Sequence, residues 1–84
     1  MPKGRVVILN HVRGMYAVEL SDGSYSVFEL CDSNEINSED IISGALDDEG
    51  SCILNNLTEN EDFNAIVQNT GLNLTMAKNR TMLN

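Results

Sequence analysis

Tryptophan is absent, histidine and proline occur once each, and the aromatic set is reduced to Tyr16, Tyr25, Phe28 and Phe63. A core with so few rings must be filled mainly by Val, Ile and Leu. The same scarcity leaves little material for a surface that stacks bases on aromatic faces. Cys31 and Cys52 are the only thiols, and with the single His11 they fall short of the four ligands of a structural zinc site. In a reducing compartment both read as small apolar fillers at strand ends. No apolar run approaches the roughly 20 residues that span a bilayer. Met1-Pro2-Lys3-Gly4 opens no stretch suited to a secretory signal. A soluble, cytoplasmic protein without membrane contact is expected.

Catalytic groupings are missing as well. His11 stands beside no Ser, Cys or acid at the spacing of a nucleophile triad. Asp32-x-Asn34 and Asp47-Asp48-Glu49 do not fit the twelve-residue calcium loop, and there is no Gly-rich phosphate loop. The chain is therefore read as a non-enzyme with no catalytic residue, no cofactor and no metal.

Positive charge is the scarcest property of all. Five Lys and Arg face thirteen Asp and Glu, for a formal charge of −8 on 84 residues. Residues 1–18 carry Lys3, Arg5, Arg13 and His11 and no acid. Residues 19–62 carry every carboxylate and no cation, and Lys78 and Arg80 follow near the end. Phosphate backbones are held by Lys and Arg that displace counterions, so this balance disfavours non-specific nucleic-acid binding. A basic stripe on the first two strands is the exception.

What is present is strand and turn chemistry in a chain of single-domain size. Arg5 to Leu9 is a β-branched apolar run of the buried-strand type. Asn10 to Gly14 suits a hairpin connection. Met15 to Leu20 alternates, with Tyr16, Val18 and Leu20 on one face and Met15, Ala17 and Glu19 on the other, as a half-buried strand does. Asp22-Gly23 marks a second hairpin turn, and Tyr25 to Cys31 completes a meander. Asp32 to Asp40 reads as a polar loop. Ile41 to Leu46 forms a fourth strand with Gly44 at a bulge or corner, and Ser51 to Leu57 a fifth. Beyond these, Phe63, Ala65 and Val67 alternate as in a sixth strand, Gln68 to Gly71 reads as a turn, and Leu74 to Leu83 as a short helix capped by Asn73. The expected fold is all-β: a small five- to six-stranded OB-like barrel over residues 1–58, with an SH3-like barrel as alternative. A C-terminal extension over 59–84, a strand plus a short helix, packs on it.

Lys3-Gly4-x-Val6-x-x-x-Asn10-x-x-x-Gly14 followed by Asp22-Gly23-x-x-x-Val27-Phe28 resembles the first three strands of a cold-shock domain, and Asn56-Leu57-Thr58 resembles that family's closing Asn-Val-Thr. The resemblance implies an OB-type barrel and single-stranded nucleic-acid binding. Position by position it selects Phe28 as a stacking ring, Arg13 as a basic contact and Asn10 at a matching place. Arg5, His11 and Met15 complete the candidate nucleic-acid-binding set. In this chain Ile8 stands where the family has Trp, Met15 and Ala17 where it has Phe, and Leu30 where it has His.

Without those rings an apolar patch of Ile8, Met15, Ala17, Phe28 and Leu30 would lie bare. The expectation is that the C-terminal segment folds over it through Leu72, Met76 and Leu83. The leading functional reading is a non-enzymatic binding module with a protein partner, interacting or regulatory in role. Cold-shock-like binding of RNA or single-stranded DNA is the alternative, and an acidic mimic of nucleic acid a further one. A monomer is favoured over an oligomer.

Overall fold

The computed structural model describes residues 2–82. Six strands and one helix follow in order: β1 (Lys3–Asn10), β2 (Met15–Leu20), β3 (Tyr25–Leu30), β4 (Ile41–Ser43), β5 (Gly50–Asn56), β6 (Glu61–Leu72) and α1 (Leu74–Met82). The strands close into a barrel in the order β1-β2-β3-β6-β5-β4, and β4 returns to β1. Every pairing is antiparallel. The fold is thus a small all-β, OB-like barrel with a short C-terminal helix. Glu61–Leu72 is a full stave bonded to β3 on one side and β5 on the other. The barrel therefore runs to residue 72, and the helix alone lies outside it. No helix among the described residues is long and apolar enough to cross a membrane.

The interior follows from alternation. Tyr16 and Val18 of β2 meet Val6, Phe28, Leu54, Phe63, Ala65 and Val67 in one core, with Tyr16, Phe28 and Phe63 in a chain of ring contacts at 5.6 and 5.7 Å. The expected polar loop and the end of the expected fourth strand both donate to this core, because Ile36 and Leu46 are fully buried in it. Both residues sit outside any strand, so no periodicity announces them. The fourth strand stops at Ser43. Gly44 then turns the chain at φ 144°, and a Cβ there would stand 2.6 Å from Leu54 Cδ2. Only glycine fits that close approach without a shift in Leu54.

Two departures from simple strands decide what faces outward. In β1 the register jumps between Val6 and Ile8, so Val7 is an extra residue. A bulge of this kind reverses the phase of the pleat. Val6 then faces the interior while Ile8 packs on the outside with Met15 and Ala17. In β6 the expected turn at Gln68 to Gly71 is instead continuous strand. Its polar composition is absorbed by two register shifts against β3, with Gly71 at φ 64°.

Buried polar groups are paired throughout: among the described residues, no buried side-chain nitrogen or oxygen lacks a partner. Asp40, buried at the end of the long loop, accepts the Asn37 amide at 3.0 Å and Asn56 Nδ2 at 2.9 Å. Asn56 in turn accepts the Glu59 amide at 3.1 Å, and Ser26 Oγ donates to the Leu46 carbonyl at 2.6 Å. Removing the shared acceptor strands two donors out of reach of water. Asp40→Ala should cost about 1–3 kcal/mol in urea unfolding, with Asp40→Asn, which keeps an acceptor oxygen, costing less. Equal stability of Asp40→Ala and the parent would show that this network is ornamental.

Candidate functional site

The outer face of β1, β2 and β3 is the surface the sequence singles out, and the structure covers it. Ile8, Ala17 and Val27 pair across neighbouring strands, and together with Met15, Leu72 and Ala77 they form a second apolar cluster, with Tyr25 at its edge. All four residues from Met15 to Val18 are consequently buried, although an alternating strand was expected to be half-buried. The cover is α1, which packs on β1, β2 and β3.

The helix begins as expected. Asn73 Oδ1 accepts the Met76 amide at 2.9 Å, the side-chain cap that satisfies an otherwise orphaned donor of the first turn. Its contact face differs from expectation. Ala77 and Thr81 are the buried helix residues, one turn apart, whereas Met76 is 42% exposed and Leu74 and Met82 also face water. Leu72 is buried, but it belongs to β6. Leu83 lies outside the described residues. Small side chains at the contact let the helix backbone lie close to the sheet, and Thr81 Oγ1 is satisfied by the Ala77 carbonyl at 2.7 Å.

The helix end is held by two of the candidate nucleic-acid residues. Asn10 Nδ2 donates to the Thr81 carbonyl at 3.0 Å, and Arg13 Nη1 lies 3.3 Å from that oxygen and 3.4 Å from the Arg80 carbonyl. The last carbonyls of a helix lack intrahelical donors and carry partial negative charge, so a guanidinium there is favourable. Asn10 Oδ1 also accepts the Arg13 amide at 3.3 Å and orders the turn that carries both.

The other candidates are dispersed. Arg5 pairs with Glu19 at 3.0 Å and Glu39 at 3.4 Å. His11 Nδ1 shares a 3.1 Å hydrogen bond with the Tyr16 hydroxyl, and the rings meet edge to face. Burial pushes the Tyr16 hydroxyl pKa upward, so that hydroxyl stays protonated at neutral pH. Met15 is buried beneath α1. Phe28 is fully buried in the barrel interior between Tyr16 and Phe63, and Leu30 packs on the same core. The expected outer patch is therefore split: Ile8, Met15 and Ala17 face the helix, while Phe28 and Leu30 face inward. Asn10, Arg13 and Met15 are the candidates the fold brings together.

Sequence reasoning passed over the other half of the outer surface, on β5 and β6. Ile53 is 65% exposed there, beside Ile66 and Asn64, in a groove of about 380 Å³ next to Cys31. One signal was available, because inward Phe63, Ala65 and Val67 leave Ile66 pointing out. Among the described residues no three His, Cys, Asp or Glu side chains converge to hold a metal ion. No protein-family model, curated protein or solved structure matches this chain.

Two measurements check this description. Replacing Asn10 and Arg13 together by Ala should speed amide exchange over residues 74–82 by roughly tenfold, as expected for losing about 1 kcal/mol or more of hydrogen bonding. Protection in β6 should be unchanged, and unaltered helix protection would show that the two side chains do not hold it. The second concerns the thiols. Cys31 is exposed, whereas Cys52 is half-buried and its thiol pKa is raised, chiefly by burial and also by Asp48. The thiolate is the reactive form, so a thiol reagent at pH 8 should label Cys31 first, and faster labelling of Cys52 would contradict the packing of β5.

Proposed function

We propose that this barrel is a non-enzymatic binding module whose partner is another protein. The observation that carries the reading is the placement of α1. It lies on the β1–β3 face, and Asn10 and Arg13 grip its last carbonyls. A nucleic acid approaching that face would have to displace the helix and release both side chains. It would then meet Met15, Ala17 and Val27, none of which offers a ring, with Tyr25 at the margin. Aromatic stacking is worth roughly 1–3 kcal/mol per base. With Phe28 inside the barrel, that term is largely absent, and the charge of −8 opposes the rest.

Cold-shock-like binding of single strands is the second reading, and one observation favours it. All five Lys and Arg residues lie on β1, on the turn after it or on α1, around the covered face. An acidic mimic of nucleic acid is a special case of the first reading, with a nucleic-acid-binding protein as partner.

Titrating isotope-labelled protein with mixed single-stranded DNA and RNA, at low and physiological salt, separates the two. No residue-specific shift is expected at either salt. Salt-dependent shifts clustered on Arg5, Asn10, Arg13 and Met15, accompanied by loss of the α1 signals, would overturn the protein-binding reading in favour of nucleic acid.

A further inference from the structure

The barrel's outer surface has a covered half and an open half, joined by a single row of side chains. Asn10 pairs with Met15, Met15 with Glu29, Glu29 with Ile66, and Ile66 with Ser51. The row starts under the helix and ends in the groove lined by Cys31, Ser51, Ile53, Asn64 and Ile66. Glu29 stands at the border.

An isolated exposed aliphatic side chain carries no message. Ile53 differs in its setting. It pairs with Asn64 and is the diagonal neighbour of Ile66, close enough for the two aliphatic side chains to act together. They lie in a concavity, with Leu57 half-exposed just past the end of the strand. The rim is ordered and anionic. Asp32 Oδ2 accepts the Asn64 amide at 2.7 Å and Asn64 Nδ2 at 3.2 Å, Gln68 Nε2 donates to Glu29 Oε1 at 3.1 Å, and Asn55 donates to Asp62. These bonds fix three carboxylates around the groove and leave acceptor capacity toward water. Between Arg13 and Lys78 the chain contains no Lys or Arg, so β3, β4, β5 and β6 bring no cation to neutralise them.

We propose that this groove docks a cationic segment of a partner protein, with an aliphatic side chain seated against Ile53 and Lys or Arg side chains on Glu29, Asp32 and Asp62. The inference rests on the protein-binding reading and adds a place and a chemistry to it. Charge complementarity selects the occupant: a phosphate backbone, an anionic lipid surface or an acidic protein would each be repelled by this rim.

The test uses a synthetic twelve-residue Lys/Arg peptide with one central Leu, a matched peptide with Ala in its place, and the isotope-labelled full chain. At physiological salt, shifts should concentrate on Ser51, Ile53, Asn64 and Ile66. The Leu peptide should bind about tenfold more tightly than the Ala peptide, as expected for burying one aliphatic side chain. Ile53→Ser, at a position already open to water, should erase that difference while keeping the parent spectrum elsewhere. Equal binding of the two peptides, with shifts spread over all carboxylates and lost on adding salt, would mean counterion attraction alone and overturn the proposal. So would the absence of shifts with either peptide. Peptide shifts confined to another face would refute this groove yet leave the protein-binding reading intact, whereas oligonucleotide shifts on the β1–β3 face would remove that reading itself.

Discussion

The structure depends on β6 having a partner along both of its edges. The β1–β3 meander and the β4–β5 hairpin are each small sheets with unpaired backbone at a margin, and β1–β4 pairing joins them on one side only. Twelve residues of β6 supply the other side, with β3 along one edge and β5 along the other. That pairing leaves neither β3 nor β6 with the unpaired edge on which sheets aggregate or recruit further strands. It also dictates where the chain goes next. The register shifts against β3 carry β6 round to Leu72, opposite Tyr25, and α1 begins two residues later, already beside the outer face it covers. Barrel closure and helix placement are thus consequences of the same strand.

A nine-residue helix with two Thr and an Asn would be marginal by itself in water. Its stability comes from the place where β6 leaves it. Asn73 caps one end, Asn10 and Arg13 hold the other, and Ala77 with Thr81 brings the backbone onto Met15, Ala17 and Val27. Two of the few residues suited to holding a phosphate are thereby committed to carbonyl oxygens of the same chain, and Arg5 to Glu19 and Glu39. Those exposed ion pairs add little to stability. Their consequence is electrostatic: the basic end of the molecule is partly neutralised from within, while the acidic staves are not.

What could be read in advance were features settled within a few residues. Alternation assigned Tyr16 and Val18 to one face and Met15 and Ala17 to the other. Asp22-Gly23 marks the hairpin turn, where the Ser24 hydroxyl and then its amide lower the Asp22 carboxyl pKa. Asn73 announced the helix start, and Gly44 the corner. The failures all depend on partners far along the chain. Phe28 and Leu30 are expected in the bare patch with Ile8, Met15 and Ala17, but which face of β3 is interior depends on Phe63, thirty-five residues after Phe28. Val7 looks like any strand residue until β2 is laid beside it. Gln68 to Gly71 has the composition of a turn, yet pairing with β3 keeps it in the strand. In the helix contact Leu72 takes part as expected, but Met76 faces water and the room beneath α1 favours Ala77 and Thr81.

Closure also limits how the molecule can meet anything else. Most strand edges are paired, and the open stretch that the three-residue β4 leaves along β5 is short, so recognition passes mainly through side chains on an outer face. One outer half is occupied by α1. The remainder is dominated by carboxylates without neighbouring cations, and a purely anionic surface attracts every cation alike, with a strength that salt erodes. Selectivity requires a feature that salt does not screen. Ile53 and Ile66, set in the groove among Asp32, Glu29 and Asp62, supply an apolar contact of that kind. Long-range attraction would then set how often a basic partner arrives, and the fit of one aliphatic side chain how long it stays.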